Sequence, residues 1–445
     1  MTAGWPQIIV EAGFTPAGPG TGVTDLILGD AVNGLLGTGT LGISTVWTTL
    51  NGYMPDGTPI VQSVTITRTS TRQQGPLTTY EAGTCTIELA NSDARFSPEN
   101  LAGPYVIGGV TQIRPMIPVR VRATWGSSGY SLFYGYVRSW TPPTAQLGPD
   151  YDYIVVQATD AFCVLAGVTI PAASITGAGE LSGARVNRIL AAAGWYATAQ
   201  GLSDVDAGQS HVQGTTFGAT ALSLLQLTAD SEIADLYADP AGRVTFRDRH
   251  APLTDARSTT VQAVFGDTAG TVHPAGTELP YVEITRPDDD TTMGNDIQAT
   301  ISGSSSMQQA KDAPSIARFL FPRTYERSDL ILQADADALG WAQYVLAISK
   351  NDESRFDALT IQADGQPDDL FPQVLGRDLG DRIQVWRDPP GMAAFSKDCF
   401  IRSITHTITV DGWVTEWGLQ NAARYSFLVL GDPILGVLGS NALSF

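Results

Sequence analysis

Gly37-Thr38-Gly39-Thr40-Leu41-Gly42 matches G-x-G-x-x-G letter for letter. A phosphate site built on that motif needs a helix to follow, because the amides at a helix N-terminus are what face the phosphates. Here Ile43-Ser44-Thr45-Val46-Trp47 follows, β-branched and strand-forming, so the match carries no phosphate chemistry. The four histidines, His211, His250, His273 and His406, are scattered, and none stands near a cysteine or a nucleophile-like serine in the chain. Sequence distance does not limit a spatial triad, yet H-E-x-x-H, G-x-S-x-G and the P-loop are all missing. His406 lies between Ile404 and Ile408 on one strand face, the setting of a core or interface histidine with one hydrogen-bond partner.

Asp288-Asp289-Asp290 with Asn295 and Asp296 is the densest group of oxygen ligands. Its spacing is not that of an EF-hand, so a solvated loop is the simpler reading beside a Ca²⁺ site. Glu81, Glu88 and Asp93 are of the type that pairs as acid and nucleophile in glycoside hydrolysis, but nothing selects among them. Cys85, Cys163 and Cys399 are odd in number and far apart, which fits buried thiols and neither a disulfide framework nor a zinc knuckle. No catalytic, cofactor-binding or metal-ligating set is expected, and the chain is read as a non-enzyme.

The elements around these residues are mostly strands. Val64 and Ile66 alternate with Thr65 and Thr67; Cys85, Ile87 and Leu89 with Thr84, Thr86 and Glu88; Val119, Val121 and Ala123 with Arg120 and Arg122. Tyr130 to Val137 and Tyr153 to Ala158 add two more strands. The period then becomes helical, with Ser182 as a cap before Val186, Ile189, Leu190 and Ala193, and with Ala221, Leu224, Leu225 and Thr228 in a second helix. Ile233 to Tyr237, the turn Asp239-Pro240-Ala241-Gly242 and Arg243 to Phe246 read as a β-hairpin. Strands resume with Ile297, Ala299 and Ile301, a helix groups Ala338, Trp341, Ala342, Val345 and Leu346, and the run Phe400 to Val410 and Trp413 to Leu419 close the series.

These patterns predict a β-rich α+β fold: two β-barrel- or sandwich-like domains flanking a small α+β insertion, with extended terminal arms. The expected divisions are an N-terminal arm over 1–60, a first β-domain over 61–170 and the insertion over 171–275. A second β-domain then covers 276–425, with a helix near 334–349, and a C-terminal docking segment covers 426–445. The 445 residues, with 43% apolar and 16% charged side chains, 46 glycines and 26 prolines, suit short strands and turns in more than one domain. A formal charge of −19 and only three lysines, Lys311, Lys350 and Lys397, argue against binding of phosphate backbones. No basic residue precedes Arg68 and no apolar run approaches the length of a membrane span, so a soluble chain made in a cytoplasm is expected.

One motif occurs at both ends. Leu26, Leu28, Asp30, Leu36 and Leu41 recur as Leu428, Leu430, Asp432, Leu438 and Leu443, within an ungapped match of eight identities in seventeen positions. Apolar residues near chain ends lack local sequence to bury them, so these ten residues are expected to form two docking clips for neighbouring proteins. Chance likeness between Gly/Leu-rich segments is the alternative.

Five stretches resemble one family. They are Tyr80-Glu81-Ala82-Gly83-Thr84-Cys85 running on to Asn91-Ser92-Asp93-Ala94-Arg95-Phe96-Ser97-Pro98; Val119-Arg120-Val121-Arg122-Ala123 with Leu132-Phe133-Tyr134-Gly135-Tyr136-Val137; Gly179-Glu180-Leu181-Ser182-Gly183; Leu236 to Arg247; and Leu379-Gly380-Asp381-Arg382-Ile383. In these the chain resembles the minor tail or tail-hub proteins of siphophages infecting actinobacteria, similar in plan to contractile-tail baseplate hubs and type VI spike proteins. The resemblance implies a homotrimer at the distal tail tip of the virion, assembled in the host cytoplasm, whose six β-domains mate with a hexameric tail tube. It implies contacts with the distal tail protein, the tape measure protein and a downstream tip or receptor-binding protein, with DNA only passing through. A receptor- or carbohydrate-binding tail protein using Trp125, Tyr130 and Trp140 is the alternative, and a tail-associated cell-wall hydrolase a further one.

Overall fold

The computed structural model describes residues 4–14, 47–71, 77, 79–142, 152–172, 177–197, 202–287, 292–351, 355–425 and 427. Within them the alternating segments form strands with their apolar sets turned inward. Val64, Ile66, Cys85, Ile87, Leu89, Val119, Val121 and Ala123 are all at most 1% exposed. The strands Val61–Arg68, Thr84–Ala90, Tyr153–Thr159, Ser128–Thr141 and Pro118–Trp125 follow one another as antiparallel neighbours. Gln7–Gly13, in the segment read as an arm, adds a strand beyond Pro118–Trp125 and buries Val10 and Ala12 completely.

Two separate barrel-like domains are not what these strands build. Phe395–Thr409 pairs along one edge with Trp413–Asn421 and along the other with Arg382–Arg387 and then Val61–Arg68, so both strand regions share one ladder. The result is a single fifteen-stranded sheet, and no sheet closes into a barrel among the described residues. Alternation specifies which face of a strand is buried and is silent on its neighbour. One core therefore serves both halves. The helix Pro367–Gly376 places Phe371 between Trp125 of the first half and Trp413 of the second, with ring centroids 5.1 and 5.3 Å away.

Two smaller units pack beside this sheet. In the first, helices Ala161–Gly167, Ser182–Ala192 and Ala221–Glu232 share a core with the three-stranded sheet of Ser203–Val205, Val244–Arg247 and Asp235–Ala238. Ser182 is not the cap: it is the first helical residue, and its hydroxyl donates to Glu232 at 2.8 Å. Thr220 does cap its helix, accepting from the Ser223 amide. In the second unit Ile297 and Ala299 lie in a separate sheet of Asp296–Ile301, Gln308–Lys311 and Thr324–Leu330, covered by the helix Asp335–Ser349. Among the described residues no helix is long and apolar enough to cross a membrane.

Asp160 joins the large sheet to the first unit. Its carboxylate accepts from the Gly83 amide at 2.6 Å and from the Phe162 amide at 2.9 Å, the latter capping Ala161–Gly167. Burial pushes its pKa up to about 6, against the pull of those amides. The folded chain thus keeps a proton that the unfolded chain loses above about pH 4, so this group's stabilisation is fullest below that point and falls as pH rises towards 6. In Asp160→Asn the side-chain NH₂ faces one of the two amides, at a cost of about 1–3 kcal/mol. Urea unfolding is expected to show a larger deficit for this variant at pH 5 than at pH 7; a deficit independent of pH would contradict the assignment.

Candidate functional site

A cleft of about 260 Å³ lies where the Asp235–Ala238 hairpin meets the large sheet. Two of the stretches that carry the family resemblance form its sides, Leu236 to Arg247 and Leu379 to Asp381. The hairpin is built locally: the Asp239 carboxylate accepts from the Ala241 and Arg243 amides at 2.9 and 2.8 Å and from Arg243 Nε at 2.5 Å. Gly242 closes the turn at a φ of +90°, and a Cβ there would lie 2.5 Å from Cδ1 of Tyr134, so the turn rests directly on that ring.

Two buried arginines fasten the hairpin to the sheet. Arg402, 3% exposed on Phe395–Thr409, donates to the Asp235 carboxylate, to Gln420 Oε1 at 2.8 Å, and to the Tyr80 and Tyr425 hydroxyls at 3.2 Å each. Its guanidinium also lies 5.4 Å from the Phe400 ring centroid. Arg68, at the end of Val61–Arg68, donates to Asp378 at 2.7 Å and to the carbonyl of Ala238 at 3.3 Å. Burial opposes both charges, and the facing carboxylates Asp235 and Asp378 outweigh it, raising both pKa values.

The outer wall is also ionic. Arg257 pairs with Asp381 and donates to the Gly376 carbonyl at 2.8 Å, and Ser258 donates to the Gly380 carbonyl at 2.9 Å, which fixes the Leu379–Asp381 turn. Arg247 spans Asp204 at 2.6 Å and Asp206 at 3.0 Å. Each of these guanidiniums has its carboxylate, so the chemistry on offer is adhesion between elements.

The ten residues expected as docking clips, Leu26, Leu28, Asp30, Leu36, Leu41, Leu428, Leu430, Asp432, Leu438 and Leu443, lie outside the described residues, as do Gly37 to Gly42 and Asp288 to Asp290. Asn295 and Asp296 are buried and turned inward, Asn295 accepting from the Arg323 amide at 2.7 Å and Asp296 from Gln309 at 2.7 Å. His406 is 4% exposed and bonds Thr415 Oγ1 at 2.9 Å; burial, helped by Arg68, pushes its pKa down to about 3, so it is a neutral core side chain. Glu88 accepts from Ser63 and Asp93 is paired with Arg95, the latter bond closing the turn that anchors the fully buried Phe96. Trp125, Tyr130 and Trp140 form no exposed platform: Trp140 is 9% exposed with Nε1 donating to the Arg114 carbonyl, and Trp125 and Tyr130 are half-buried against the main core.

No protein-family model matches the sequence, and no curated protein matches it. By fold, however, the chain is similar to phage tail proteins. The 43 kDa tail protein of prophage MuSo2 from Shewanella oneidensis aligns with it at 12% identity and a TM-score of 0.52, over 94% of this chain and 98% of that one. The tail protein from Neisseria meningitidis MC58 gives 13% identity and a TM-score of 0.52, over 81% of this chain and 92% of that one. An E. coli component of the type VI secretion system, described as similar to T4 tail proteins gp27 and gp5, gives 10% identity and a TM-score of 0.39 over 82% of this chain and 74% of that one.

Arg402→Met leaves Asp235 facing a largely buried site without its cation, which is expected to lower stability by about 3 kcal/mol. A second change, Asp235→Leu, removes the stranded carboxylate and is expected to recover most of that loss in chemical denaturation. A double variant no more stable than the single one would contradict this role.

Proposed function

We propose that this chain is a structural hub of a phage tail tip, a homotrimer that closes the distal end of the tail tube and anchors the tip or receptor-binding proteins beyond it. The observation that carries the reading is the extent of the fold likeness: the MuSo2 tail protein aligns over 94% of this chain and 98% of its own, so the likeness runs through nearly the whole chain and is not confined to one unit. The ionic joints support it, since a hub must transmit force between sheet and side units without their separating. The net charge of −19 fits a conduit that DNA passes without adhering, and the family resemblance of the cleft-forming stretches points the same way. The distal tail protein, tail tube and tape measure protein are the proposed partners.

Antibody labelling of intact virions by electron microscopy is expected to place the protein at the distal tail end, with quantitative mass spectrometry giving three copies per particle. Labelling along the tube or at the head, or absence from virions, would refute the reading. The terminal motifs are proposed as straps to neighbouring tail proteins. Deleting residues 428–445, which spares the buried Phe427 stacked on Tyr344, is expected to leave the melting transition of the chain in place while reducing its incorporation into tails, and unchanged incorporation would show the repeat to be incidental.

A further inference from the structure

Each guanidinium around the cleft already holds a carboxylate, but several of the cleft's oxygens have no such engagement. Tyr237 is 8% exposed, with its ring held against Tyr80 at a centroid distance of 5.3 Å. It lines the cleft, and its hydroxyl has no hydrogen-bond partner among the described residues. Burial keeps that hydroxyl protonated well above its ordinary range, with Asp378 and Tyr80 adding to the effect and Arg247 and Arg68 opposing it, so it is a donor as well as an acceptor. Asp255 is half-buried in the same lining, caps no helix with its side chain, and its carboxylate has no partner among the described residues. One carboxylate oxygen of Asp378 accepts from Arg68 and from the Leu379 amide, at 2.7 and 2.8 Å, and the other has no bond among the described residues. Ser258 gives its proton to the Gly380 carbonyl and keeps its lone pairs.

These groups select the chemistry of an occupant. Four aspartates and four arginines line the cleft, so a free anion and a free cation each meet like charge. An uncharged molecule with several hydroxyls meets none: it gives protons to the open carboxylate oxygens and takes one from Tyr237. Pro252, Leu379 and Phe400 line the same space and offer C–H groups an apolar surface. Hydroxyls at the edge of an apolar ring face are the features of a sugar. The volume of about 260 Å³ lies just below the usual range of small-molecule pockets, which leaves room for one sugar ring. The walls are fixed without a ligand, since Arg402 ties Asp235, Arg257 ties Asp381 and Arg68 ties Asp378, so binding orders little.

We infer that the cleft is a binding site for one neutral sugar residue, whose hydroxyls donate to Asp255 and Asp378 and accept from Tyr237. The recognising chemistry is the same for a free sugar and for one unit of a surface glycan. This site adds a ligand to the chain and does not depend on the hub reading.

Saturation-transfer NMR and calorimetry on the full chain test it, with glucose, galactose, mannose and N-acetylglucosamine as neutral probes and glucosamine and glucuronic acid as charged ones. At least one neutral sugar is expected to bind in the millimolar range, and the charged probes about tenfold more weakly. Tyr237→Phe keeps the ring and removes only the hydroxyl; it is expected to weaken binding about tenfold with the melting transition unchanged. Asp255→Asn, at an unpaired and half-buried position, is expected to do the same and serves alone should the first variant fail to fold. Wall polysaccharide from a susceptible host, compared with its constituent neutral sugars, separates the sources: tighter binding of the polysaccharide assigns a glycan, and equal binding assigns a free sugar. The inference is overturned if no neutral sugar binds, if a charged probe binds better, or if both variants bind like the wild type. A chain that binds no sugar but whose two variants enter tails poorly assigns the cleft to a neighbouring protein, which overturns it as well. None of these results alters the virion labelling that tests the hub reading.

Discussion

The guanidinium of Arg402 is the interaction on which the arrangement of this chain turns. It projects from a strand of the large sheet, is almost fully buried, and reaches a carboxylate, an amide oxygen and two tyrosine hydroxyls that come from separate parts of the chain. Only a planar, permanently charged fork can satisfy that many acceptors at once. Arg68, with Asp378 and the Ala238 carbonyl, makes a second joint of the same kind at the other end of the short Asp235–Ala238 strand. Buried ion pairs add little net stability compared with apolar packing, but they are intolerant of misplacement. What these joints supply is a fixed attitude of the side unit against the sheet.

That division of labour explains how the molecule is assembled. The main core supplies the hydrophobic stabilisation, and it does so for both halves of the sheet through Phe371. The α+β unit has a core of its own around Val186, Leu190, Leu225 and Phe246. Two apolar cores in contact would leave their mutual orientation loosely specified. Ionic contacts with defined donors and acceptors remove that freedom, which suits a component that must hold its shape between a tube and whatever lies beyond it.

Much of the fold was legible in the chain. The buried faces of Val61–Arg68, Thr84–Ala90 and Pro118–Trp125 follow their period-two patterns, and the helices at Ser182–Ala192, Ala221–Glu232 and Asp335–Ser349 follow theirs. Sheet connectivity was not legible, because alternation does not name a neighbour, and so a shared ladder reads the same as two barrels. Ser182 misleads for a related reason: its partner Glu232 is fifty residues away, while capping is a local rule. Arg68 did carry a signal, since it continues the inward face of Val64 and Ile66. Arg402 carried the same signal, standing two residues before Ile404 in the alternating set of Ile404, His406 and Ile408, although the ladder slips beside it between Ile401 and Ser403. The cleft became visible only when the 236–247 and 379–383 stretches, more than a hundred residues apart, were brought together.

The central claim is that the buried arginine joints make the side unit and the large sheet one mechanical body. Native-state hydrogen exchange tests this most directly. The account predicts that amides of Asp235–Ala238 and Val244–Arg247 open with the same free energy as those of Phe395–Thr409, in one cooperative event. Exchange of the hairpin through a separate opening of much lower free energy, with the sheet still closed, would contradict it.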